Sequence, residues 1–161
     1  MDQRKKKFEI NKYEGLWYEI AKIPFRYEKG CSFATAEYSW NSKKGVMNIK
    51  NSCLDENHNF IYSRSGEATP VVLSESGETK FKVIFNDGFP SDKNDEEWNY
   101  RVLYTDYDMY SIVSGNKSTN LWILSRQPKI HVKDALMLLD KVKNFGFNPD
   151  SLVSNPSLIY K

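Results

Sequence analysis

Along most of the chain, apolar and aromatic residues alternate with polar ones, in runs separated by turn residues. A period of two places alternate side chains on opposite faces of a strand, so the pattern predicts β-structure with one face buried. Strands are expected at about 16 to 24, 32 to 40, 45 to 53, 59 to 68, 79 to 86, 97 to 105, 108 to 115 and 119 to 126. The clearest stripe is Trp98, Tyr100, Val102 and Tyr104 against Asn99, Arg101, Leu103 and Thr105. Phe81, Val83 and Phe85 form another, interrupted by Lys82 and Ile84, and both stripes are expected to point inward. Asn41-Ser42-Lys43-Lys44-Gly45 and Ser76-Gly77 are hairpin turn signals. The all-β pattern of eight strands joined by short turns suggests an up-and-down antiparallel barrel.

Helical periodicity occurs once, from His131 to Phe145. There Val132, Ala135, Leu136, Leu139 and Val142 form a stripe and Gly146 marks the end. The tail from Leu152 to Tyr160 is expected to add one short strand, and Ser91 to Glu97 a solvated loop at the barrel rim. A length of 161 residues suits a single domain over 1–161, with 1–9 a flexible end.

Composition narrows the function classes. A formal charge of +2 with scattered cations provides no clustered basic face, so no nucleic acid is expected as partner. The one basic run, Arg4-Lys5-Lys6-Lys7, reads as a solvated end; the rival reading is a transient membrane contact through phospholipid headgroups. The chain opens into charge and not into an apolar leader, so either it begins after a removed signal or it works in the cytosol.

Two cysteines bear on that choice. A hairpin about Asn41 to Lys44 sets Tyr38 opposite Met47 and Ala36 opposite Ile49, which brings residues 31 and 32 opposite 53. Cys31 and Cys53 are therefore expected to form a disulfide, which implies an oxidising, extracytoplasmic compartment. The two histidines, His58 and His131, have no metal-ligand spacing with the cysteines, so no metal or other cofactor is expected.

Three stretches carry a family resemblance. Tyr13-Glu14-Gly15-Leu16-Trp17-Tyr18-Glu19-Ile20-Ala21 resembles the Gly-x-Trp opening of the lipocalin barrel. Tyr104-Thr105-Asp106-Tyr107 is similar to its Thr-Asp-Tyr turn, and Leu121-Trp122-Ile123-Leu124-Ser125-Arg126 to its third motif, which ends in arginine. The wording is nearest the bacterial lipocalin and apolipoprotein D branch. The resemblance implies an eight-stranded barrel with one C-terminal helix packed outside. It also implies that Trp17 and Arg126 close the narrow end, with Gly15, Thr105, Asp106 and Tyr107 in structural roles.

The resemblance implies a carrier of small apolar ligands of fatty-acid, lysophospholipid, sterol, retinoid or tetrapyrrole type, with no catalytic residues. The expected cavity wall is Trp98, Tyr100, Val102, Tyr104, Trp122, Leu124, Phe81, Val83 and Phe85. A rival reading has these aromatics filling the barrel solidly. Glu19, placed on the alternation of Trp17 and Ala21, either engages a ligand headgroup or orders the barrel floor through a neighbouring tyrosine. The alternatives to a carrier are a lipocalin acting through its surface or as a homo-oligomer, and an isomerase using a free Cys31 thiol.

Overall fold

The computed structural model describes residues 7–23, 31–74, 79–86, 97–116 and 120–161. A short helix α1 (Ile10–Tyr13) precedes eight strands: β1 (Gly15–Lys22), β2 (Phe33–Asn41), β3 (Val46–Leu54), β4 (Phe60–Val72), β5 (Thr79–Phe85), β6 (Tyr100–Thr105), β7 (Tyr110–Ser114) and β8 (Leu121–Ser125). Each pairs antiparallel with the next, and β1 also pairs with β8, so the sheet closes into a barrel. Closure removes the free edges that an open sheet would expose. The expected Ser76-Gly77 turn and most of the loop at 91–97 lie outside the described residues.

After β8 come β9 (Ile130–His131) and helix α2 (Val132–Asn144). His131 Nδ1 accepts the Lys133 amide at 3.0 Å to cap the helix start, and Gly146 takes φ +92° beyond its end. The helix buries Leu138 and Val142 against the outer barrel wall, while Leu136 is 62% exposed. The expected stripe therefore misplaced one position, with Leu138 taking the core role assigned to Leu136. The tail forms two short strands where one was expected: β10 (Val153–Ser154) on the edge of β1 and β11 (Ile159–Tyr160) parallel to β9.

Two cores result. Inside the barrel, Trp17, Tyr38, Met47, Ile49, Phe81, Val83, Val102, Val113 and Leu124 pack together with Phe8 and Tyr13. Between barrel and helix, Ile20, Leu103, Tyr110, Ile112, Leu121 and Ile123 pack with Leu138 and Val142. Strand β7 serves both layers, with Val113 inward and Ile112 outward, and all five of its residues are buried. Phe8 is only 4% exposed, so the terminus expected to be flexible is anchored in the inner core by residue 8.

The β2–β3 register differs by two residues from expectation: Tyr38 faces Ile49, and Cys53 faces Ala34. The strands extend to Asn41 and Val46, and Asn41 Oδ1 accepts the amides of Lys43 and Lys44 within the intervening loop. Cys31 still reaches Cys53 because the chain before β2 stays beside β3, with the Ser32 amide donating to Leu54 O at 2.9 Å. The two are disulfide-bonded with Cα atoms 5.3 Å apart. Closing a loop of this size contributes about 3 kcal/mol. The paired variant Cys31→Ser with Cys53→Ser should lose about that much in urea unfolding. Thiol titration of the denatured, unreduced wild type should find no free thiol, and two reactive thiols would refute the bridge.

Candidate functional site

Because the strands alternate up and down, the turn at 42–45, the β6–β7 turn and α1 share one end of the barrel, and the β3–β4 turn lies at the other. The α1 end is closed from below by one cation. The Arg126 guanidinium lies 3.8 Å over the Trp17 ring. Its Nε donates to Tyr107 O, Nη1 to Leu16 O and Nη2 to Lys12 O, each at 3.0 Å. Trp17 Nε1 donates to Tyr13 O at 3.0 Å, so the buried indole is satisfied. Gly15 takes φ +104°, and a Cβ there would stand 3.1 Å from Arg126 Nη1, so both backbone and space demand glycine.

The β6–β7 turn is built for the same end. Asp106 Oδ1 accepts the amides of Met109 at 2.9 Å and Tyr110 at 2.8 Å. Thr105 Oγ1 donates to Tyr110 O and accepts the Tyr107 amide, while Tyr107 takes φ +66°. Tyr107 then accepts the Glu9 amide on its hydroxyl and packs its ring, tilted, 5.7 Å from that of Phe8.

Above this end the lumen is solid with aromatics. Tyr13 lies 5.1 Å from Trp17, 5.3 Å from Tyr38 and 5.2 Å from Phe8, centroid to centroid. Their hydroxyls form one chain: Ser111 to Tyr13 at 2.8 Å, Tyr13 to Tyr100 at 3.3 Å and Tyr100 to Tyr38 at 2.9 Å. A void of about 10 Å³ lies beside Phe8, lined also by Val102, Thr105 and Tyr107. Burial pushes the Tyr13 hydroxyl up to about 12 and raises Tyr38 and Tyr100 as well.

Toward the other end the packing loosens. The β1–β2 pairing stops at Tyr18 and Thr35, and β10 takes up the edge of β1 at Ala21 and Lys22. A cleft of about 460 Å³ opens at this edge, lined by Glu19 and Lys22 together with the outer-core residues Ile20, Ala21 and Leu158 and by Phe33.

Of the expected wall, Phe81, Val83, Val102 and Leu124 belong to the inner core, with Phe85, Tyr100 and Trp122 packed on it half-buried. Two residues lie elsewhere. A bulge in β6 between Val102 and Tyr104 turns Tyr104 out of the lumen, against the outer core and under Lys141 Nζ at 4.3 Å from its ring. Trp98 precedes β6 and sits by Lys80 and Arg101, 4.8 and 5.5 Å from its ring; β5 alternation turns Lys80 outward beside the inward Phe81. A second bulge, in β1 between Glu19 and Ala21, moves Ala21 to the outer core and separates it from Trp17. Glu19 pairs with Lys22 at 3.8 Å. The sequence reading missed Lys22 and Arg64. Arg64 lies 4.0 Å over Phe85, and alternation from Gly66 and Ala68 marked it as inward-facing. Among the described residues no cluster of three or more His, Cys, Asp or Glu could hold a metal ion.

The chain is thus a closed eight-stranded barrel protein, sealed at one end and carrying one outer helix. A family model described as Lipocalin-like domain matches residues 8–157. A lipocalin of Acanthamoeba polyphaga mimivirus is 33% identical over 153 residues, 91% of this chain and 83% of that one. Apolipoprotein D of Bos taurus is 35% identical over 141 residues, covering 83% and 68%, and the outer membrane lipoprotein Blc of Vibrio cholerae is 28% identical, covering 91% and 81%. Lobster apocrustacyanin A1 shares the fold with a TM-score of 0.66 at 20% identity, over 90% of this chain and 77% of that one. The protein belongs to the lipocalin family, whose members generally bind small hydrophobic ligands and are typically not enzymes.

Two outcomes test the sealed end. Trp17→Ala should cost ~3 to 5 kcal/mol, as buried aromatic truncations do, and Arg126→Ala should also destabilise by leaving three carbonyls without their donor. Wild-type stability in either variant would refute the assignment. Tyrosine pKa values raised on folding give stability that is fully present below pH ~10 and lost as pH rises toward and past 12. Urea unfolding at pH 11 should therefore be weaker than at pH 9 by roughly 2 to 4 kcal/mol, at about 1.4 kcal/mol per hydroxyl per pH unit. Equal stability at the two pH values would mean that the three hydroxyls are solvated.

Proposed function

We propose that the protein binds small hydrophobic ligands in the half of the barrel remote from Trp17 and Arg126, and carries or sequesters them in an extracytoplasmic compartment. The observation that carries this reading is the contrast between the two halves. The sealed half is filled by aromatic side chains, whereas the other keeps apolar walls at Val83, Phe85 and Trp122. The family membership supports the same reading. The Cys31–Cys53 bridge favours an oxidising compartment and leaves no thiol for an isomerase mechanism.

Affinity follows from area. Burying a sixteen-carbon chain yields ~12 kcal/mol at ~0.8 kcal/mol per methylene, against ~4 to 15 kcal/mol for lost freedom and desolvation. Micromolar, permissive binding is expected, because an apolar wall discriminates weakly between chains that differ by a methylene.

Titration with a fatty acid should change tryptophan emission, and Trp122→Phe should diminish that change while the fold persists. Arg101→Gln and Tyr104→Phe lie outside the lumen and should leave affinity within twofold of wild type. Weakened binding in the outer pair with none in Trp122→Phe would place the site on the outer wall and overturn the reading.

A further inference from the structure

Strand β1 parts from β2 before either strand ends. The bulge in β1 sets Ile20 and Ala21 against the single residue Ile123 of β8 and bends the strand. Its pairing with β2 stops at Tyr18 and Thr35, while β2 continues beside β3 through Ala34 with Cys53 and Phe33 with Leu54. The place beside Ala21 and Lys22 is taken by Ser154 and Val153 of β10. Among the described residues no strand pairs with Phe33 or Ala34 on the side facing β1, so the wall is slit there. The cleft of about 460 Å³ lies in this slit, and its lining comes from both faces of the wall. On the lumen face are Glu19, near enough to the buried Tyr38 hydroxyl to act on it electrostatically, Lys22, directly opposite Trp122, and Ala34, in phase with Ala36 and Tyr38 of the inner core. On the outer face are Ile20, Ala21 and Leu158 of the outer core, with Phe33 packed on it. Neighbouring residues of a strand point to opposite sides of a sheet, so a dent in one face would be lined from that face alone. This cleft traverses the wall.

We propose that this slit is a side passage by which apolar ligands enter and leave the lumen, and that β10 is the strap that sets its width. The proposal rests on the ligand-binding reading above and adds to it the route by which the site fills. Strand β10 is joined to β1 through two residue pairs and Val153 is 55% exposed, so opening it locally costs little beside unfolding a barrel strand. Beyond it the tail is anchored, with Leu158 buried in the outer core and Ile159 and Tyr160 paired to β9. The strap can therefore swing aside while the tail stays on the barrel. A chain in transit meets Ile20, Ala21, Phe33 and Leu158, which keep its methylenes out of water. Glu19 and Lys22 on the inner lip pair with each other at 3.8 Å.

Stopped-flow tryptophan emission with palmitate on the intact, disulfide-bonded protein tests the route. Ala34→Phe adds bulk at the inner lip and leaves the strap untouched. It should slow association and dissociation alike, by about fivefold or more, and keep Kd within about threefold of wild type. Ala34→Leu gives the same comparison with a smaller side chain where phenylalanine prevents folding. Replacing Val153 and Ser154 together by proline must remove an amide that β10 directs at β1, because successive amides of a strand point to opposite edges. The loss of one hydrogen bond shifts an opening equilibrium about fivefold, so both rates should rise by about that factor at similar Kd. Wild-type rates in the Ala34 and double-proline variants overturn the passage while leaving the ligand-binding reading intact. A changed Kd at an unchanged association rate in Ala34→Phe makes residue 34 a contact of the bound ligand and also overturns it. Slowing by Ala34→Phe with wild-type rates in the double-proline variant supports the passage and overturns the strap. Absence of palmitate binding by wild type overturns the ligand-binding reading, and the passage with it.

Discussion

The stack of Arg126 on Trp17 is the contact on which the rest of the barrel depends. One guanidinium gathers carbonyls from three separate segments, at Lys12, Leu16 and Tyr107, and covers the fully buried indole with its face. Arg is suited to this and Lys is not, because only a planar fork of five donors can serve several acceptors while stacking on a ring. The nearby requirements follow from it. Gly15 has no side chain because Arg126 passes within contact distance, and Asp106 braces the turn that presents the Tyr107 carbonyl. Helix α1 is held with its Lys12 carbonyl in reach, which carries Phe8 into the barrel as a plug.

Sealing one end so firmly divides the labour along the barrel axis. The sealed half is packed with Phe8, Tyr13, Trp17, Tyr38 and Tyr100, whose hydroxyls satisfy one another and Ser111. A buried hydroxyl without a partner is costly, so this network makes a polar floor tolerable inside an apolar core. The open half does not have to supply that rigidity. It can keep apolar walls, a gap between β1 and β2, and the few charged groups at Glu19, Lys22 and Arg64.

The architecture was legible in the sequence because period-two alternation marks β2 to β5 in particular, and the motifs at Gly15 to Trp17, Thr105 to Tyr107 and Arg126 each impose a local geometry. What escaped the pattern were places where alternation breaks. Bulges in β1 and β6 insert a residue, so Ala21 and Tyr104 change faces although the residues before them keep their phase. A bulge depends on the partner strands and leaves little trace in one strand's own residues. Trp98 was misread for a related reason: it lies before the paired part of β6, where strand phase no longer governs direction, and nearby cations take up its ring. Leu136 and Leu138 are both apolar, so the helix alone does not determine which of them faces the barrel. Arg64 was overlooked because a charged residue on an inward stripe contradicts the expectation of an apolar wall; its guanidinium is accommodated there over the Phe85 ring.

Amide hydrogen exchange with and without saturating palmitate tests the division between a sealed structural half and an open binding half most directly. The slowest amides of the free protein should lie at Trp17, Tyr110 and Ile112, unchanged by ligand, with added protection confined to the lumen strands near Lys22, Arg64, Phe85 and Trp122. Protection by palmitate concentrated at 13–17 and 105–111, with none near Arg64 or Trp122, would contradict the account.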